Sequence, residues 1–110
     1  MRQGVVDQMI EFSVAELASN DLVRINRLVR GLAERWENEP ALSICFAMTS
    51  AASILADQFQ GQEKFERRAY LLSSLVAADL FALEALGQSP TKGHHLLAFW
   101  RRADPFFLQF

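Results

Sequence analysis

Apolar residues recur every three or four positions along most of this chain, which is the spacing of amphipathic α-helices. No stretch sustains the alternation of apolar and polar residues, rich in β-branched side chains, that is typical of strands. Only five glycines and three prolines interrupt the 110 residues. The pattern therefore predicts an all-α fold, a small helical bundle of four to five helices that forms a single domain over residues 1–110.

Two helix-start signals lie close together in the first part of the chain. Ser13 with Glu16 three residues later has the form of a capping box. The pair Ser19–Asn20 can cap a second helix. Apolar residues continue at helical spacing through this second signal, from 18 to 36. The pattern slightly favours one helix over 13–37, preceded by a short helix of its own, rather than a break near Asn20.

The middle of the chain predicts two long helices. Pro40 begins the first, which has no charge before Asp57 and ends near Gln58. Gly61 lies in the short connection, and the longest helix follows over about 62–86, before a glycine and a proline end it. A connection this short implies a central antiparallel helical hairpin.

The helix after Pro40 is apolar or small on nearly every side. Its larger apolar residues share one face: Ile44, Met48, Leu55 and Phe59. Its small residues form two other faces, one with Cys45, Thr49 and Ser53 and the other with Ser43, Ala47 and Ser50. Such a helix is packed by several neighbours at once. A bundle this small has few neighbours to supply, so we expect a second subunit and hence a homodimer.

The last part of the chain is rich in aromatic residues. We expect a helix over about 94–103, which ends before Pro105 because proline cannot continue it. The tail 105–110 is then an irregular or extended segment. Its aromatic side chains must dock on the bundle itself, across a dimer, or in a partner's groove, and four residues are candidates for binding a partner: Trp100, Phe106, Phe107 and Phe110.

Asp79 is the only charged residue between Arg68 and Glu84, and it lies along the edge of the apolar face of the longest helix. A buried carboxylate needs a partner or a raised pKa. We expect a structural ion pair or hydrogen bond with an arginine of a neighbouring helix. A switch, a general acid, or a polar group that sets the register of a dimer seam are the functional alternatives.

Arginines mark the polar side of the segment after Asn20. Arg24, Arg27, Arg30 and Arg35 are partly offset by an intervening glutamate. We interpret them as a solvated amphipathic face. The outline of a helix, a short turn and a basic helix leaves open a helix-turn-helix that binds DNA.

Composition argues against several classes of protein. The net charge is −2, so no overall basic field attracts nucleic acid or anionic lipid. The longest uncharged stretch is too short and too rich in hydroxyls to span a membrane. Acidic residues within the first dozen positions do not fit a secretory signal. The single cysteine, Cys45, has no partner for an internal disulfide, which favours a reducing, cytoplasmic location.

Side chains for catalysis or metal binding are sparse. His94 and His95 point about 100° apart on a helix, so they cannot bind one ion in the usual i, i+4 manner. Neither histidine has a nucleophile and an orienting acid nearby in the sequence, so a catalytic triad is not expected. The sequence also has no glycine-rich phosphate-binding loop. We expect no catalytic residue, no cofactor and no metal ligand, and we interpret the histidines as a solvated start of the last helix.

These features favour a small intracellular interaction or regulatory protein without catalysis. It would act through a helical surface or through its aromatic tail. A helix-turn-helix-like DNA-binding regulator is the first alternative, and a bundle that binds a small ligand near Asp79 is the second.

Overall fold

A computed structural model describes residues 4–58 and 63–110. These residues form five α-helices and a final 3₁₀ helix: α1 (Val5–Ala18), α2 (Leu22–Arg35), α3 (Leu42–Gln58), α4 (Glu63–Ala85), α5 (Gly93–Arg102) and the 3₁₀ helix Phe106–Gln109. Within the described ranges there is no β-strand, only an isolated bridge between Pro40 and Lys92. The prediction of an all-α bundle is confirmed. The connection around Gly61, expected to be a tight turn, lies outside the described residues.

The first half of the chain forms two helices, so the single helix over 13–37 is wrong. The break lies at Asn20, which adopts the left-handed conformation with φ 57°. Asp21 then caps α2, because its carboxylate accepts a hydrogen bond from the backbone N–H of Val23 at 3.0 Å. Asparagine tolerates a left-handed backbone better than most residues do, so this short polar turn reverses the chain without a glycine.

The capping role of Ser13 is wrong as well. Ser13 is buried in the middle of α1, and its hydroxyl donates to the carbonyl of Met9 at 2.8 Å. No proline or glycine interrupts the residues from Val5 to Ala18, so the short helix expected before residue 12 is simply the first part of α1.

The helices form two layers. α3 packs along both α1 and α4, which touch each other little, so α3 is the middle of one layer. α2 crosses that layer and contacts all three of its helices, and α5 and the 3₁₀ helix pack on α2. The dimensions of the backbone, 41 × 36 × 19 Å, agree with two layers of helices about 8–10 Å apart. α3 and α4 form the expected antiparallel hairpin.

The core lies between the two layers. Its largest fully buried side chains come from every helix: Met9, Ile25, Leu28, Leu32, Ile44, Met48, Leu72, Leu96, Trp100 and Phe107. Because α2 has one strongly apolar side, it supplies core residues at helical spacing and leaves its arginines outside.

The start of α5 is bound to the chain that leaves α2. The N–H groups of Gly93 and His94 donate to the carbonyls of Glu39 and Glu37, at 3.0 and 2.9 Å. A Cβ atom on Gly93 would lie 3.0 Å from the Cα of Glu37, so any larger residue would force the neighbouring backbone to shift. These bonds satisfy N–H groups at a helix start and fix α5 against α2.

The tail after Pro105 is a 3₁₀ turn, so the expected irregular or extended segment is wrong. Pro105 cannot continue α5, but its carbonyl accepts the N–H of Leu108 at 2.9 Å and begins the new turn. Asp104 accepts the N–H of Phe106 at 3.3 Å. Phe107 is fully buried against Trp100, with ring centroids 4.9 Å apart. The tail therefore docks on its own bundle.

Candidate protein interaction surface

The outer side of α3 is not covered within one chain. α1, α4 and α2 pack on its other sides, as expected of a central helix, but Leu42, Phe46 and Ser53 remain exposed. More than half of the Leu42 and Phe46 surface is accessible. The expectation that neighbours surround α3 thus holds for three sides, and the fourth side is open.

The outer side of α4 is open in the same way. Tyr70 and Phe81 are exposed, and Phe81 is 74% accessible. Ser74 and Ala77 lie between them, also exposed, and the spacing 70, 74, 77, 81 places all four on one side of the helix.

Contacts on the other sides of α4 show which way this row points. Arg68 and Asp79 reach inward, to Asn26 of α2 and Trp100 of α5. Ser73 faces α3, because its hydroxyl donates to the carbonyl of Cys45 at 3.4 Å. The exposed row lies opposite Arg68 and Asp79 around the helix, on the side of the layer that faces away from α2.

We call the open sides of these two helices the α3–α4 face; its residues are Leu42, Phe46, Ser53, Tyr70, Ser74, Ala77 and Phe81. None of them is charged. The sequence from 40 to 56 holds no acidic or basic residue, and from 69 to 83 it holds only Asp79, which points inward. Protein surfaces normally mix charges among apolar groups, and an exposed apolar face without charges is typical of contact sites.

A groove opens at one end of this face, between α3 and the start of α1. It has a volume of about 550 Å³ and is lined mainly by apolar groups, among them Val6, Leu42, Ser43, Phe46 and Thr49. Cys45 also borders it. Burial raises the pKa of the Cys45 thiol, which keeps it protonated and unreactive at neutral pH.

Asp79 lies inside the bundle and not on the face. Asp79 is only 8% exposed, and its carboxylate accepts a hydrogen bond from the indole N–H of Trp100 at 2.9 Å. The partner is therefore a tryptophan of α5 and not the arginine that we expected. Burial raises the pKa of Asp79, the Trp100 bond opposes that rise, and the negative charge of Asp104 adds to it.

The four aromatic candidates of the tail are divided between the core and the surface. Trp100 and Phe107 are buried in the bundle, so neither is accessible to a partner while the tail is docked. Phe106 and Phe110 are partly exposed and pack edge to face on each other, with ring centroids 5.5 Å apart. A partner-binding role for these two stays a prediction.

Three of the four arginine candidates contact their own chain. Arg24 makes a two-pronged salt bridge with Glu16 across the α1–α2 turn, at 2.9 and 3.1 Å. Arg30 pairs with Glu34 at 2.8 Å. Arg35 lies 4.5 Å above the ring of Phe12. Arg27 is exposed. The arginines thus share one side of α2, two of them with carboxylates beside them.

The histidines lie at the start of α5, as expected. His95 Nδ1 accepts the backbone N–H of Lys92 at 2.9 Å, and desolvation lowers the pKa of His95, with His94 and Lys92 adding to the effect. Among the described residues, no three histidine, cysteine, aspartate or glutamate side chains gather as a metal site would require. Over the same residues, no helix is both long and apolar enough to cross a membrane.

Tyr70, Phe46 and Phe81 were not among the site residues predicted from the sequence. A signal was present for Tyr70 and Phe81, because α4 has these aromatic residues on the side opposite its buried stripe, within a run almost without charge. Comparison with protein-family models, with curated proteins and with solved structures gave no match for this chain.

Proposed function

We propose that this chain is a small interaction or regulatory protein, without catalysis, which binds another protein molecule through the α3–α4 face and forms a homodimer. The observation that carries the proposal is the combination of exposed aromatic side chains and absent charge on the α3–α4 face. The cores of protein interfaces have this composition: aromatic residues are enriched in them and charged residues are depleted.

The face also has the shape that an interface needs. Two long helices of one layer make it nearly flat, and small residues between the aromatic ones let another backbone approach closely. Fully burying one aromatic side chain such as Phe81 contributes on the order of 1.5–3 kcal/mol. A few such residues near the centre of a contact dominate most protein interfaces.

The helical surface is a better candidate than the tail. Phe107 and Trp100 already pack on each other, and releasing them to a partner would expose both to water. Tyr70, Phe46 and Phe81 are exposed in the folded chain and need no rearrangement. The face holds no titratable side chain apart from the Tyr70 phenol, so its chemistry favours binding over proton transfer.

The test is whether the α3–α4 face binds another protein molecule in the cells that produce the protein. We expect chemical crosslinking in cells to join wild-type protein to another protein molecule, and the double variant Tyr70→Glu/Phe81→Glu to lose that product. Leu22→Glu/Val23→Glu is the matched control, because it also places two glutamates on exposed apolar residues, here on α2 and away from the face. Equal crosslinking of all three proteins, or none with wild type, would contradict the proposed function.

One observation favours the DNA-binding alternative. Residues 19–21 form a tight turn between α1 and α2 in which Asn20 has the backbone conformation that glycine often supplies. If Arg24, Arg27 and Arg30 contact phosphates, the logarithm of the binding constant for duplex DNA should fall linearly with the logarithm of the salt concentration, with a slope of about −3. No binding to any duplex at low salt would eliminate this alternative. The ligand-binding alternative required Asp79 to face a small pocket. Its carboxylate instead accepts a hydrogen bond from the Trp100 indole inside the bundle, so no observation favours this alternative.

A further inference from the structure

We infer that the occupant of the α3–α4 face is a second copy of this chain, paired about a twofold axis, with Phe81 of each copy in the groove of the other. The inference rests on the proposed function and names the partner and its mode of docking. Three observations support it: the area of the face, its lack of charge, and the positions of Phe81 and the groove.

The area is sufficient for a stable dimer. α3 and α4 have 17 and 23 residues, so they are about 25 and 34 Å long. Two helices about 8–10 Å apart present a strip roughly 20 Å wide. The whole outer side of α3 and α4 therefore offers about 500–700 Å² per copy, or about 1,000–1,400 Å² in total, which reaches the size of specific interfaces. The uncharged α3–α4 face, about 18 Å along each helix, is the centre of this area, and helix ends with charged residues such as Asp57 and Glu84 form its rim.

The lack of charge suits a contact between identical faces. In a twofold contact the same patch meets itself, so residues near the axis lie against their own copies. A charged residue there would meet a like charge and weaken the contact. The α3–α4 face contains no charged side chain, and it offers no ionic pairing to a charged partner.

Phe81 and the groove lie at the same end of the hairpin. Cys45 of α3 lies beside Ser73 of α4, so moving along α4 from Ser73 to Phe81 leads back towards the start of α3. The groove is lined by residues from the same start of α3, including Leu42 and Phe46. Phe81 is 74% accessible and is not among the residues that line the groove, so it does not fill the groove of its own copy.

This placement makes the face self-complementary. A twofold axis that passes between Phe81 and the groove carries each Phe81 into the groove of the other copy, and both contacts form together. The groove volume of about 550 Å³ is ample for a phenyl ring. Its lining of Val6, Leu42 and Phe46 offers the apolar and aromatic surface that a phenyl ring packs against.

The first experiment measures the association state by sedimentation equilibrium between 1 and about 100 μM. We expect wild-type protein to sediment at twice the monomer mass of 12.4 kDa. Phe81→Ala should weaken dimerisation at least about 100-fold, and Phe81→Glu should give a monomer. Leu22→Glu should remain a dimer, and circular dichroism checks that each variant keeps its helices.

The second experiment tests the pairing itself by mixing two variants. Phe81→Ala has an open groove and lacks the phenyl ring, whereas Ser43→Trp keeps Phe81 and fills its own groove. Each variant alone should be largely monomeric. Their mixture should form a heterodimer, because one intact contact remains possible between Phe81 of the second variant and the open groove of the first.

The outcomes separate this inference from the proposed function. A monomeric wild type at 100 μM, or a dimer unaffected by Phe81→Glu, overturns the inference. Loss of the dimer in Phe81→Glu without a heterodimer in the mixture overturns the docking of Phe81 in the groove. If the wild type is monomeric while crosslinking in cells still captures a different protein through Tyr70 and Phe81, the homodimer is refuted and the proposed binding role of the α3–α4 face stands with that other partner.

Discussion

Replacing Asp79 separates the two contributions that this carboxylate makes to stability. Trp100 is fully buried, and its indole N–H has Asp79 as its partner at 2.9 Å. In Asp79→Ala that N–H loses its acceptor, which costs about 1–3 kcal/mol of unfolding free energy. Because the partner is neutral, the cost stays below the about 3–5 kcal/mol expected when a buried charge is left unpaired.

Asp79→Asn is the matched variant. It keeps the size of the side chain and a carbonyl oxygen that can accept the Trp100 N–H, but it removes the ionisable group. Since burial disfavours the ionised form of Asp79, we expect Asp79→Asn to be as stable as the wild type at pH 7, within about 1 kcal/mol, or more stable.

The pH dependence gives a second readout. The pKa of Asp79 is raised above its ordinary value of 3.8 in the folded protein, so folding favours the protonated form. The stability gained from this preference is complete below pH 3.8 and is lost as pH rises through the folded-state pKa. The stability of the wild type relative to Asp79→Asn should therefore fall over this range and then become constant.

Urea unfolding of the three proteins at pH values from 4 to 8 measures both effects, with circular dichroism and tryptophan fluorescence as probes. An Asp79→Ala protein within about 0.5 kcal/mol of the wild type at pH 7 would refute the structural role of the hydrogen bond. A difference between the wild type and Asp79→Asn that does not change with pH would refute the raised pKa.

Three further changes test the packing. Gly93→Ala should lower the unfolding free energy by about 1–3 kcal/mol in a urea titration, since its Cβ would lie 3.0 Å from neighbouring backbone atoms. The control is Gly31→Ala, whose Cβ would lie 3.5 Å from the Phe12 ring; it should stabilise α2 by up to about 1 kcal/mol in the same assay. Phe107→Ala should cost about 3–5 kcal/mol, because it leaves a cavity beside Trp100, and an unchanged thermal midpoint would show that the tail is not docked in solution. Asn20→Gly should retain the wild-type midpoint whereas Asn20→Val should lower stability by about 1–2 kcal/mol, and equal midpoints would contradict the left-handed turn.

Local patterns were enough to predict the helices of the central hairpin and the last helix. α3, α4 and α5 begin and end within a few residues of the expected positions, because glycines, prolines and changes in apolar spacing mark their ends. The break at Asn20 was harder to predict. The apolar spacing continues from α1 into α2 because both helices face the same core, so periodicity alone does not reveal the turn.

The partner of Asp79 depends on tertiary structure. Trp100 is 21 positions away, on a helix whose place is set by the bonds that Gly93 and His94 make to the chain after α2. Hydrophobic patterning carries no information about such a long-range polar pair. The exposure of Phe46 and Phe81 also depends on which sides of α3 and α4 the second layer covers, and that follows from packing rather than from spacing.

The position of α2 has a consequence for how the chain folds as it is made. The apolar side of α2, which includes Ile25 and Leu28, is covered in part by α5 and the 3₁₀ helix. The ribosome adds about 5–20 residues per second, so the roughly 60 residues between the end of α2 and the start of α5 take about 3–12 s to appear. Throughout that interval α3 and α4 can cover part of α2, but the apolar surface that α5 and the 3₁₀ helix cover in the folded chain stays open. Slow decoding between residues 36 and 92 would prolong this exposure and with it the time in which the nascent chain is prone to aggregate.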